Sequence, residues 1–354
     1  MVKDPSLSVE PKWAEHDRRL DQWNPDRQDL KLLIEMNAQL ASQPVPDYLC
    51  HPRPEHLPML LPCGTTRSGK TLLHQLLANA FELTYPDNVS ARLWGAPYHA
   101  IAVSNSVREQ MGWDGNLRYE SVTGFSPDVF GPHEFSYFWS RFFPLGEQAF
   151  LTDEDKANCD EDRLLDELAA TFKMGGGKPL MFAAMNFTIN ADYFSRLFKD
   201  ALFIDMWRNP TDITLSLLRI RQERYGREDV WWGANTPERP NLEKLEPEAQ
   251  AAGQIHYLRR YMEKGLAEIP TERHISIDYA ELCNSPRDQL EKIREAAAGC
   301  GITLESRKEF EVPDSFPISG GPAPGQEERY ERLEKLLENY AENSEAAVIA
   351  EAEE

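Results

Sequence analysis

Gly64-Thr65-Thr66-Arg67-Ser68-Gly69-Lys70-Thr71 follows the apolar stretch Leu57-Pro-Met-Leu-Leu-Pro-Cys63 and opens the apolar helix pattern Leu72-Leu73-His-Gln-Leu76-Leu77. A strand that enters a helix through a glycine-rich turn aims backbone N–H groups and the helix dipole at one point. That point binds phosphate or another tetrahedral anion. The string satisfies G-x-x-x-x-G-K-[ST], the loop of nucleoside-triphosphate enzymes. Its Arg67-Ser68-Gly69 core admits a different ligand, so the loop marks an anion site and leaves the anion to be identified elsewhere in the chain.

With 354 residues the chain is long enough for one large α/β domain or two smaller ones. A formal net charge of −21 speaks against nucleic acid and anionic membrane surfaces as partners, and disfavours a polyanionic acceptor. Cys50, Cys63, Cys159, Cys283 and Cys300 are odd in number, widely spaced and without a C-x-x-C pair, which predicts neither a disulfide framework nor a zinc site. The polar start Met-Val-Lys-Asp-Pro-Ser lacks an apolar signal core, and no run of about 18 apolar residues occurs. A soluble, cytoplasmic protein is the expectation.

Residues 1–28 read as an irregular leader, 29–340 as a single α/β domain, and 341–354 as an acidic disordered tail. Helical spacing predicts a first helix from Leu30 to Gln43. Residues 81–102 mix turn residues with aromatics and read as a cleft wall without regular structure. Phe130, Phe135, Tyr137, Phe138, Trp139, Phe142, Phe143 and Phe150 form an aromatic block with two readings, a helix packed in the core and the wall of an acceptor pocket. Further strands are expected at 179–185, 201–207 and 273–279, with helices at 191–198, 247–267 and 286–298 between and after them. Strands alternating with helices imply a mostly parallel sheet covered on both faces.

The strand ending at Trp207 runs into Arg208-Asn209-Pro210-Thr211-Asp212, and Ser216 lies eight residues after Arg208. Pro210 suits a first helical turn, which places Ser216 two turns along the new helix. An arginine fork and a serine hydroxyl together grip a phosphate monoester. Here the chain resembles the sulfotransferases that use 3′-phosphoadenosine 5′-phosphosulfate (PAPS). In that family R-[DN]-P-x-[DE] and a Ser eight residues after its Arg bind the 3′-phosphate, and a loop like 64–71 binds the 5′-phosphosulfate. The stretch Ile277-Asp-Tyr-Ala-Glu-Leu282 with Ser285-Pro286 resembles the family's Y-E-x-L…P pattern. Pro317-Ile-Ser-Gly-Gly-Pro322 resembles the glycine-rich loop that closes over the nucleotide.

The resemblance implies a three-layer P-loop-like fold and PAPS as co-substrate, with no metal. Thr66, Arg67, Ser68, Gly69, Lys70, Thr71, Arg208, Ser216, Gly320 and Gly321 are its expected binding residues. Lys70 departs from the family pattern, which has Ser or Thr there. Sulfuryl transfer needs in-line positioning and charge stabilisation, roles expected of Arg67 and Lys70. A general base must take the acceptor's proton; His133 and Glu134 are the first candidates, Asp87 and His99 the runners-up. The acceptor reads as a small molecule or glycan carrying a hydroxyl or amine, against which Trp94, Trp113, Trp139, Trp231 and Trp232 stack or beside which they simply fill the core. The competing reading is a P-loop kinase or NTPase in which Lys70 and Thr71 meet ATP and Asp205 holds Mg²⁺.

Overall fold

A computed structural model describes residues 18–23, 26–122, 124–143, 150–183, 187, 189–308 and 310–352. Four strands form one parallel sheet in the order β2-β1-β3-β4. They are β1 (Met59–Cys63), β2 (Leu180–Met181), β3 (Ala201–Trp207) and β4 (His274–Asp278). Met59 to Cys63 pair in register with Ala201 to Asp205, and Phe203 to Trp207 pair with His274 to Asp278. β1 is buried along its whole length, and β3 from Ala201 to Met206, as strands covered on both faces must be.

Pro62 sits in β1 without disturbing the ladder. Leu180 and Phe182 donate their N–H groups to the carbonyls of Pro58 and Leu60, so even-numbered residues of β1 face β2. β2 pairs only with Met59 and Leu60. The missing N–H of Pro62 therefore falls beyond the end of that ladder, where proline is tolerated.

The helices that shape the site are α1 (Arg27–Ala41), α2 (Lys70–Ala80), α3 (Pro97–Gln110), α4 (Ser136–Phe142), α5 (Glu161–Met174), α6 (Ala191–Leu197), α7 (Pro210–Tyr225), α8 (Pro247–Ala267), α9 (Tyr279–Asn284), α10 (Pro286–Gly299) and α11 (Glu327–Ala352). Two large cores lie on the sheet. One gathers Met59, Leu61 and Phe203 with the aromatics Phe138, Trp139, Phe187 and Phe194. The other gathers Leu60, Ile204 and Met206 with α2, α9 and α10.

Three expectations change, and one left between two readings is narrowed. α3 begins inside the stretch read as irregular, although Asn88, Arg92 and Trp94 do line a cavity. The strand expected at 179–185 is a two-residue element, and 184–186 lie outside the described residues. Of the two readings of the aromatic block, packing in the core holds for Phe138, Trp139 and Phe143, which are fully buried, while Tyr137 lines a cavity. α11 runs through the boundary drawn at 340 to Ala352, while most of the expected leader, residues 1–17 with 24 and 25, lies outside the described residues.

Candidate active site

β1 and β3 are neighbours in space, yet the chain leaves β1 toward β2 and leaves β3 toward β4. A crevice opens outside the carboxyl ends of strands at such a switch point. A cleft of about 240 Å³ lies there, lined from the β1 loop by Thr66, Arg67, Gly69, Lys70 and Thr71, and from later segments by Arg208, Tyr279 and Ser319.

The loop is tight and specific. Arg67 holds φ 64°, a left-handed conformation that costs a non-glycine residue roughly 1–2 kcal/mol. Gly69 has φ 104°, and a Cβ there would stand 2.5 Å from the Tyr279 ring. Glycine is thus required both by conformation and by the approach of Tyr279. Ser68 is fully buried, and its Oγ has no hydrogen-bond partner. Lys70 curls back and donates to the carbonyls of Gly64 at 2.9 Å and Thr65 at 2.7 Å. Two of its three N–H bonds are therefore committed to the loop itself. Thr71 Oγ1 donates to the carbonyl of Gly124.

The 64–71 loop and the 208–216 segment meet. Arg67 Nε donates to Ser216 Oγ at 2.9 Å, and Arg208 donates to the carbonyl of Arg67 at 2.9 Å. Burial lowers the Arg67 pKa, and the neighbouring Arg208 charge adds to it. Each letter of the 208–212 motif has a local cause. Asn209 caps α7 by accepting from the N–H groups of Thr211 and Asp212, and Pro210 takes the first helical position. Asp212 Oδ1 accepts from the N–H of Gly321 at 2.7 Å and from Tyr330 Oη at 2.9 Å. Gly320 lies so close that a Cβ would stand 2.4 Å from Asp212 Oδ2.

The late loop thus docks on α7 through its glycines, while Ser319 faces the cleft. Arg208 donates to the Ser319 carbonyl and, at 3.3 Å, to its Oγ. Tyr279 Oη lies 2.8 Å from Ser319 Oγ, and the Arg208 guanidinium sits 4.5 Å from the Tyr279 ring centre. Sequence reasoning missed Asp212 and Ser319 as the fasteners of this loop. It also missed Gly124, Phe125, Trp232 and Gly233 in the cleft wall, which carry no motif of their own.

Adjacent residues His133 and Glu134 face different spaces. Glu134 lines the cleft beside Lys70; burial raises its pKa and the lysine charge opposes the rise. Burial likewise lowers the Lys70 pKa, against the pull of Glu134. His133 lines a second cavity of about 860 Å³ that shares Phe125 with the cleft. Its Nδ1 accepts from the N–H of Phe135 at 2.9 Å, so in the neutral ring the proton sits on Nε2. Burial pushes its pKa down to about 4, which Asp87 opposes and Arg92 reinforces. At neutral pH this ring is a hydrogen-bond donor at Nε2.

The runners-up are engaged elsewhere. Asp87 is fully buried and accepts from the Ser90 N–H, Ser104 Oγ and Arg108 Nη2. His99 is exposed on α3 against the Tyr98 ring. Asp205 is buried below the loop and outside the cleft lining; burial raises its pKa despite Arg259, and Ser276 Oγ lies 3.4 Å away. Trp139 and Trp231 belong to the core, Trp94 lines the second cavity, Trp232 lines the cleft, and Trp113 packs on Phe130 and Arg108. Among the described residues the one trio of mixed metal-ligand types, Asp47, Cys50 and His51, lies outside both cavities.

No curated protein matches the chain. Among solved structures it is similar to sulfotransferase STF9 of Mycobacterium avium, with 16% identity, a TM-score of 0.48, and 78% of this chain and 75% of that one covered. Sulfotransferase STF1 of Mycobacterium tuberculosis H37Rv shows 14% identity, a TM-score of 0.48, and coverage of 79% and 77%. A sulfotransferase of Alicyclobacillus acidocaldarius shows 17% identity, a TM-score of 0.35, and coverage of 80% and 94%. The sequence profile of the sulfotransferase family matches residues 58–303, from the foot of β1 through the end of α10, and the chain belongs to that family.

Proposed function

We propose that the protein transfers a sulfuryl group from PAPS to a hydroxyl of a small acceptor, with Glu134 as the general base. The observation that carries this reading is the junction of Arg67, Ser216 and Arg208. Guanidinium and hydroxyl donors from both phosphate motifs converge within hydrogen-bonding distance at one end of the loop. A 3′-phosphate gives such a junction a purpose, whereas ATP has no group for it. Arg208, which lines the cleft, has an Nε buried without a partner, and Ser68 Oγ in the loop behind it is likewise buried without a partner. Buried polar atoms normally have one, so these fit a ligand rich in phosphate oxygens.

In this reading the N–H groups at the start of α2 hold the 5′-phosphosulfate. Lys70 keeps its loop closed with two N–H bonds and has the third for the bridging oxygen. The acceptor oxygen forms a bond to sulfur as the bond from sulfur to the 5′-phosphate oxygen breaks. The departing electron pair stays on adenosine 3′,5′-bisphosphate, and the acceptor's proton passes to the Glu134 carboxylate. Its raised pKa makes that carboxylate a stronger base than an exposed one. His133 does not serve as the base, because its Nε2 already carries the proton.

The kinase reading loses its parts in turn. Thr71 Oγ1 is bonded to Gly124, and Asp205 does not line the cleft, so neither stands ready to hold Mg²⁺. A thermal-shift comparison tests the choice. Adenosine 3′,5′-bisphosphate at a hundredfold excess over its dissociation constant should stabilise the protein by about 2.7 kcal/mol. Stabilisation by ATP with Mg²⁺ and none by the bisphosphate would overturn it.

A further inference from the structure

The second cavity is polarised. Leu30 and Leu33 from α1, with Trp94, Phe125 and Tyr137, give it an apolar body, and the Trp94 and Tyr137 rings stack at 4.7 Å. Its His133 side is the one nearest the cleft, because His133 adjoins Glu134 and Phe125 borders both spaces. Among the described residues, two donors there have no side-chain hydrogen-bond partner. His133 Nε2 makes no hydrogen bond and, unlike the corresponding atoms of His74 and His274, is not sealed in the interior. Arg92 lines the cavity and makes no ion pair among the described residues, and its charge is felt at the His133 ring.

Among the described residues lining the cavity the charges are Arg19, Arg92 and Arg224 against Asp26 and Asp29, a local positive excess in a chain of formal charge −21. Asp26 is committed to capping α1, accepting from the N–H groups of Gln28 and Asp29. Arg224 is stacked between the rings of Phe125 and Trp232, 5.4 Å from each. Arg19 also has a partner of its own, which leaves Arg92, among the described lining residues, as the cation available to a ligand beside His133. A planar guanidinium fork matches a planar carboxylate, and an imidazole N–H adds a third donor.

Building on the sulfuryl-transfer reading, we propose that the acceptor is an amphiphilic hydroxy acid. Its carboxylate is held by Arg92 and His133 Nε2–H, its apolar body lies along Trp94 and Tyr137, and its hydroxyl is presented to Glu134. The carboxylate is a recognition group and takes no part in the bond changes.

The test uses 2- and 3-hydroxydodecanoate, their methyl esters, and 2-aminododecan-1-ol as probes, with PAPS as donor. At least one acid should show a kcat/KM at least tenfold above its ester, mainly through KM. Arg92→Leu should lower kcat/KM for that acid at least tenfold and bring the acid-to-ester ratio toward one. The bisphosphate thermal shift reports whether the variant is folded. Equal use of acid and ester, a preference for the amino alcohol, or failure of the bisphosphate-bound protein to bind either acid would overturn the proposal. A protein that the bisphosphate does not stabilise at all instead removes the sulfuryl-transfer reading beneath it.

Discussion

His133 and Glu134 show what one backbone step decides. The sequence marks the pair as imidazole beside carboxylate but does not rank them. The ranking depends on the Phe135 N–H that occupies His133 Nδ1 and on the burial of Glu134 beside Lys70, and neither is visible in residue order. Glu134→Gln should lower kcat by about 10²–10⁴-fold while the bisphosphate thermal shift survives. The carboxylate must be ionised to accept a proton, and burial raises its pKa above the ordinary 4.5. The acid limb of the kcat/KM profile should therefore lie above pH 4.5 and vanish in Glu134→Gln. A limb that persists unchanged in the variant points to another base. Lys70, unusual in the motif, is explained as a staple of its own loop. Sequence spacing shows that a cation is present but not that its side chain turns back.

Elements were legible where apolar runs are long. β3 was placed residue for residue from its seven-residue run, and α8 from Pro247 to Ala267. α3 was missed because its buried face is Pro97, Tyr98, Ala100, Ile101 and Ser104, in which small and polar residues hide the helical period. β2 shrank because Gly175-Gly-Gly177 and the chain after Met181 leave only two residues alongside β1. The late glycine loop was legible as a loop, but its attachment was not. Its glycines pack on Asp212 at the first turn of α7, and Ser319 is presented between Arg208 and Tyr279. Removing the Tyr279 hydroxyl should loosen that loop without touching Gly69. Tyr279→Phe is expected to weaken adenosine 3′,5′-bisphosphate binding by about 0.5–1.5 kcal/mol, roughly two- to tenfold, in a calorimetric titration.

Across the whole molecule, α4 and α5 are joined by a sealed ion pair. Arg141 makes two 2.8 Å hydrogen bonds to Glu167 and a third to the Trp94 carbonyl, with both side chains 1% exposed. Removing Arg141 leaves Glu167, among the described residues, only its 3.1 Å bond to the less buried Arg163, so Arg141→Met should cost about 1–3 kcal/mol in urea unfolding. Buried histidines set the acid side of stability. His74 and His133 are lowered from 6.5 to about 3 and about 4, chiefly by burial. Below pH 6.5 the unfolded chain binds protons that the folded chain refuses, so stability falls as pH drops toward 4. Glu134 and Asp205, raised by burial, act in the opposite sense, holding stability at low pH that is lost as pH rises through their folded pKa values. The urea midpoint of the wild type should be lower at pH 5 than at pH 7, and His74→Gln should narrow that gap.

The strand register has a consequence for how the protein fails. Cys63 pairs with Asp205, and the two phosphate motifs leave their strands within three residues of that pair. The proposed donor site is therefore anchored in the buried central strands, while the second cavity is walled by α1, the Ser90–Leu93 turn and the chain around Phe125. Amide exchange should separate the two regions. Protons of β1 and β3 should exchange only through global unfolding, and those of the cavity wall through smaller local openings. On gentle heating the protein should lose its grip on the acceptor while it still binds the bisphosphate.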